Sequence, residues 1–127
     1  MSVPTPSPRL PAGGHGPRGA GELRLTITRR GEDTAVLTVA GDVDVATADR
    51  LRAALLRCDA RCAGLVVDLC HVDFLGGAGV RALLRAGERN PEAVVVASGH
   101  AARRALAVTG ADRALDVRGR MPELLAC

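Results

Sequence analysis

The chain contains no tryptophan, no tyrosine and one phenylalanine, Phe74. Modules that hold single-stranded nucleic acid stack bases on aromatic side chains, so this scarcity argues against that class. It also leaves the core to Leu, Val, Ala and Ile. Lysine is missing too, and all 17 basic side chains are arginine. Together with the wealth of Ala, Gly and Val, this points to the codon bias of a GC-rich genome rather than to a selected property. The formal net charge is +3, and the arginines are interleaved with Asp and Glu, as on solvated faces. No apolar run approaches the roughly 18 residues of a membrane span. Residues 1–21 also lack the apolar stretch of a secretory signal. The expectation is a cytoplasmic chain with reduced thiols, touching neither membrane nor nucleic acid directly.

What is present reads as one folded domain behind a tail. Residues 1–21 are rich in Pro and Gly and poor in apolar residues, which predicts a disordered segment with a solvated His15. The folded domain is assigned to residues 22–127. Leu23, Leu25 and Ile27 alternate with polar residues, as in a half-buried strand. A turn at residues 30–33 leads to a second strand through Val36, Leu37 and Val39, ending at Ala40-Gly41, so the pair reads as a hairpin. Asp44 and Thr47 are both candidate helix caps. Behind them Ala48, Leu51, Ala54, Leu55, Cys58 and Cys62 recur at helical spacing. Residues 65–69 and 93–97 are short apolar runs of the buried parallel kind. A loop is expected after Leu69, then helices over 80–88 and 101–108, a short strand near 115–117 and a last helix near 122–126. Strands alternating with helices imply an α/β fold, a mixed and mainly parallel sheet with helices packed on it.

Few residues carry obvious chemistry. Cys58, Cys62, Cys70 and Cys127 lack the paired close spacing of a zinc site. Cys58 and Cys62 fall on the apolar helix face, where Cys behaves as a small hydrophobe. No metal and no cofactor is expected. Gly76, Gly77 and Gly79 crowd a loop-to-helix junction, but the spacing fits neither a dinucleotide fingerprint nor a P-loop. His71 and Asp73 border that junction and could reach a substrate, or could simply shape the turn. Ser98-Gly99-His100 lacks the nucleophile-elbow context of a hydrolase.

Four stretches, in order, resemble one family. Gly41-Asp42-Val43-Asp44-Val45-Ala46-Thr47-Ala48 resembles the G-E-L-D-x-x-T-A stretch of STAS domains, the anti-sigma factor antagonists of bacteria. Residues 65–69 are similar to their central strand. Val72-Asp73-Phe74-Leu75, the glycines and Val80-Arg81-Ala82-Leu83-Leu84 resemble V-x-F-L-D-S-S-G-L-x-x-L-L. Arg103-Arg104-Ala105-Leu106 with Thr109-Gly110 resembles the R-x-L-x-x-T-G ending.

The resemblance implies a sheet with helices on one side and a partner-binding surface around the start of the second helix. Carried over residue by residue, that surface comprises Asp42, Asp44, Thr47, Phe74, Gly76, Gly77, Ala78 and Gly79. It further implies a partner that is an anti-sigma factor and serine kinase of the histidine-kinase-like ATPase type, which phosphorylates the first serine of D-S-S-G. Here that serine is Gly77, which has no oxygen to accept a phosphoryl group. The resemblance therefore implies a non-enzymatic binding module that is not switched at this position. The alternative is a sensor on the same fold, holding a small molecule or anion at the glycine turn.

Overall fold

A computed structural model describes residues 22–121; the predicted tail at 1–21, the predicted last helix at 122–126 and Cys127 lie outside the described residues. The elements are β1 (Leu23–Arg30), β2 (Thr34–Val43), α1 (Ala48–Arg61), β3 (Gly64–Leu75), α2 (Gly77–Arg89), β4 (Val94–Val96), α3 (His100–Thr109), α4 (Ala111–Ala114) and β5 (Asp116–Arg118). The expected hairpin forms: β1 and β2 pair antiparallel from Leu23↔Gly41 to Arg30↔Thr34. Every other pairing is parallel, and the sheet order is β1-β2-β3-β4-β5. With parallel strands laid down in sequence, crossovers of one hand put their helices on one face.

That face holds the main core. Val39 and Val43 of β2, Leu65, Val67 and Leu69 of β3, and Val95 of β4 meet Leu51 and Leu55 of α1, Val80 and Leu83 of α2, and Leu106 of α3. Leu51, Leu55 and Leu69 are fully enclosed, each stabilising the fold by about 1.5–3 kcal/mol. The predicted inward face of α1 is correct, down to Cys58 and Cys62. Val36, Val66 and Val96 form a smaller cluster, joined by Met121. The sheet interior is therefore apolar on both sides, which is why its strands read as continuous apolar runs.

Three expectations need correction. The loop predicted after Leu69 is strand, because β3 continues to Leu75 beside an equally extended β2. The register slips by one residue between Thr38 and Ala40 and again between Gly41 and Asp42. Each bulge adds one residue to β3, so Leu69, Val72 and Leu75, three apart, all reach the helix side. That spacing hides the period of two that a strand normally shows. Second, α2 starts at Gly77 rather than near residue 80, so most of the glycine turn is helix. Third, α4 was not anticipated; it follows Gly110, whose left-handed φ of 80° ends α3 and starts the new turn.

Candidate functional site

Strands β2, β3 and β4 end along one edge of the sheet, where ligands and partners of open α/β folds usually meet the chain. Two loops dominate this edge. The first, residues 44–47, is set by Gly41 and Thr47. Gly41 has φ of +102°, and a Cβ there would run into the Glu22 carbonyl. The Asp42 amide donates to that carbonyl at 3.1 Å. Asp44 Oδ1 accepts from the Thr47 amide at 3.1 Å, while Thr47 Oγ1 accepts from the Asp44 amide at 2.9 Å. This reciprocal pair is a capping box placed one turn before the first residue of α1. The Thr47 hydroxyl proton goes to the Asp42 carbonyl at 3.0 Å or to Asp44 Oδ1 at 3.1 Å. Asp44 and Thr47 were both predicted as caps; they bond to each other ahead of α1, where Thr47 at the N-cap makes no side-chain bond to the helix amides and is only 4% exposed.

The second loop joins β3 to α2. The Gly76 amide donates to the Val43 carbonyl at 2.8 Å, tying the two loops together. The glycines here are not used for unusual backbone: the positive-φ glycines among the described residues are Gly31, Gly41 and Gly110. Each has a different steric setting instead. A Cβ on Gly79 would lie 2.5 Å from Val43 Cγ1 and 2.8 Å from Leu75 Cδ1, so any larger residue there must push these core side chains aside. A Cβ on Gly76 would come within 3.2 Å of the Phe74 ring. Around Gly77 there is nothing within 4 Å, and the residue is exposed as the first of α2.

The edge thus carries Phe74, Gly76, Gly77 and Ala78, with Asp42 paired in register to Phe74 and Asp44 in the neighbouring loop. Thr47 and Gly79 are buried, Thr47 bonded to Asp42 and Asp44 and Gly79 facing Val43 and Leu75. Sequence reasoning passed over Val45, which is 84% exposed between the caps, while Phe74 is 51% exposed. The signal for Val45 was an apolar residue in a loop, outside the rhythm of either neighbouring element. Arg103 spends a donor on the Ala97 carbonyl at 3.0 Å, so it braces the β4–α3 junction.

The other chemical candidates lie elsewhere. A groove of about 600 Å³ is lined by Glu22, Arg24, Ala40, Gly41, Asp42, His71 and Asp73. Val72 points to the helix-side core, so His71 and Asp73 on either side of it point to the opposite face, away from Gly77. The lining of this groove includes none of the residues of the glycine turn. Among the described residues, no three His, Cys, Asp or Glu side chains are grouped to hold a metal ion. Burial, assisted by the nearby Cys62 and Asp59 and opposed by Arg57, pushes the Cys58 thiol up to about 11. It is an inert core thiol. No helix among the described residues is long and apolar enough to cross a membrane.

Known proteins resemble this chain in sequence and in fold. The family model described as Mlab, STAS domain, matches residues 27–123. The anti-sigma-F factor antagonist RsfB of Mycobacterium tuberculosis is 36% identical over 83 residues, 62% of this chain and 68% of that protein. The crystal structure of an anti-sigma factor antagonist from Mycobacterium paratuberculosis superposes with a TM-score of 0.72 at 28% identity, covering 82% of this chain and 92% of the other. The anti-sigma factor antagonist SpoIIAA, in its unphosphorylated form, gives 0.63 at 12% identity over 79% of this chain and 90% of the other, a likeness of fold.

Proposed function

The chain belongs to the STAS domain family, and from that premise we propose that it is an anti-sigma factor antagonist, a cytoplasmic binding protein without catalysis of its own. Residues 22–127 act as the binding domain. Its partner is an anti-sigma factor, of the histidine-kinase-like ATPase type that also phosphorylates serine. The docking surface is the strand edge carrying Asp42, Asp44, Val45, Phe74, Gly76, Gly77 and Ala78.

The observation that carries this reading is the surface around Gly77. It is exposed and sterically open, lies on the same strand edge as the half-exposed Phe74 and the exposed Val45, and is free of any side-chain oxygen at the position where the family's acceptor stands. An exposed aromatic in a chain with no other is a strong candidate anchor for a protein interface. With no hydroxyl at Gly77, the roughly two negative charges of a phosphoryl group cannot be added there. Binding at this surface is therefore constitutive, and control lies in the amount of the protein or in another part of the system.

The test is a release assay. Purified full-length chain is titrated into a preformed complex of sigma factor and anti-sigma factor from the same genome. Free sigma factor should appear in step with the added chain, and Phe74→Ala should need more protein for the same release. If no anti-sigma factor of that genome binds the chain, the proposal fails.

A further inference from the structure

The outer face of α2 continues the surface just described. Gly77, Arg81 and Arg85 follow one another at i, i+4 and i+8, and all are exposed. At 1.5 Å per residue, the two arginines stand about 6 and 12 Å along the helix from Gly77. The first turn of α2 contains no acidic residue. Glu88 is exposed on the same face, at the end far from Gly77. The ion pairs among the described residues are Arg52–Asp49, Arg89–Asp59 and Arg118–Asp116. Arg81 and Arg85 belong to none of them, although Glu88 lies only three residues beyond Arg85. By contrast Arg89, on the same helix, is pinned to Asp59 at 2.6 Å.

We infer that the Gly77–Arg81–Arg85 stripe is the basic half of the docking surface and takes an acidic segment of the protein partner, with Phe74 and Val45 as the apolar half. The inference rests on the anti-sigma reading above and adds the chemistry of the partner. Guanidinium groups recognise carboxylates in a planar, two-pronged geometry, so two of them one turn apart select for acidic side chains at matching spacing. The absence of any side chain at Gly77 lets the partner's backbone approach the helix closely and reach both. A polar stripe beside an apolar anchor fits a protein. Duplex nucleic acid would need only the charges and would leave Phe74 and Val45 without a role.

The test uses the full-length chain and a purified anti-sigma factor of the same genome, followed by titration calorimetry at low and high salt. The wild-type complex should weaken as salt rises. Arg81→Glu/Arg85→Glu should raise Kd at least about thirtyfold at low salt and flatten the salt dependence. Arg29→Glu/Arg30→Glu, with the same change in net charge on exposed residues of β1, should move Kd less than about threefold. A third variant separates docking from stability. Gly77→Glu has open space and a carboxylate at a helix start, so it should fold at least as firmly as wild type yet bind more weakly. Equal binding and salt response by wild type and the α2 double variant would overturn the stripe while leaving the anti-sigma reading intact. Equal losses from the α2 and β1 reversals would also overturn it, by assigning the effect to net charge. Retention of a duplex DNA fragment by the wild type that the α2 variant loses, with partner binding unchanged, would overturn the assignment to a protein. If the wild type binds no anti-sigma factor, both readings fall together.

Discussion

Adding one methyl group at Gly79 and one at Gly77 should have opposite consequences for stability. At Gly79 the new Cβ would sit 2.5 Å from Val43 Cγ1 and 2.8 Å from Leu75 Cδ1, two buried side chains in a well-filled core. Such overpacking costs about 1–3 kcal/mol, and replacing glycine by alanine in a helix returns about 1 kcal/mol. The net loss for Gly79→Ala is about 1 kcal/mol, equivalent to a fall in Tm of roughly 4–8 °C for a domain this size. At Gly77 nothing lies within 4 Å, so only the propensity acts. Gly77→Ala should gain a few tenths of a kcal/mol, the smaller value reflecting its place at the helix start. The chain has no Trp or Tyr, so the assay is thermal and urea unfolding followed by circular dichroism rather than intrinsic fluorescence. A Gly79→Ala variant as stable as wild type, or a Gly77→Ala variant less stable than it, would refute the steric reasoning.

Other perturbations probe the same edge. Phe74 is 51% exposed, so a partner that covers the rest of the ring removes about 100 Å² from water; at ~25 cal/mol per Å², Phe74→Ala should weaken partner binding by about 2.5 kcal/mol, near seventyfold in Kd. Calorimetry against the anti-sigma partner checks this. Thr47→Val leaves the Asp44 amide and the Asp42 carbonyl without their hydroxyl partner; urea unfolding should register a loss of about 1–3 kcal/mol. The fold holds Cys58 as the neutral thiol, so that stability is fully present below its ordinary pKa of 9.0 and is lost as pH rises from there toward about 11. Cys58→Ala should flatten the fall in stability over that interval, and wild-type Cys58 should resist thiol reagents in the native state at pH 8.

Much of this molecule was legible from side-chain periodicity. The β1–β2 hairpin, the inward face of α1 and the buried runs of β3 and β4 follow from alternation and helical spacing, because burial on one side imposes those periods. The stretch from Cys70 to Leu75 did not, because two bulges convert the period of two into three and a strand then imitates a loop. The start of α2 was hidden by glycines, which read as turn formers although here they adopt ordinary backbone. At the site, Asp42, Asp44, Phe74 and Gly76–Ala78 were named from the motif, yet the burial of Thr47 and Gly79 depends on what packs over them. Val45 and Arg81 fall at unspecified positions of the matched motifs and Arg85 lies beyond them; only their exposure, and the absence of ion pairs to the two arginines among the described residues, brings them forward.

The most direct test of the account is the affinity of the chain for its anti-sigma partner before and after incubation with that partner and Mg-ATP. Wild type should bind equally in both conditions and carry no phosphate at residues 74–79. Gly77→Ser, which places a hydroxyl in open space at the start of α2, should gain phosphate and lose affinity. A single substitution is the cleaner probe, since Gly76→Asp beside it would displace the Phe74 ring. Wild-type chain that becomes phosphorylated and releases its partner would contradict the central claim that this surface binds constitutively.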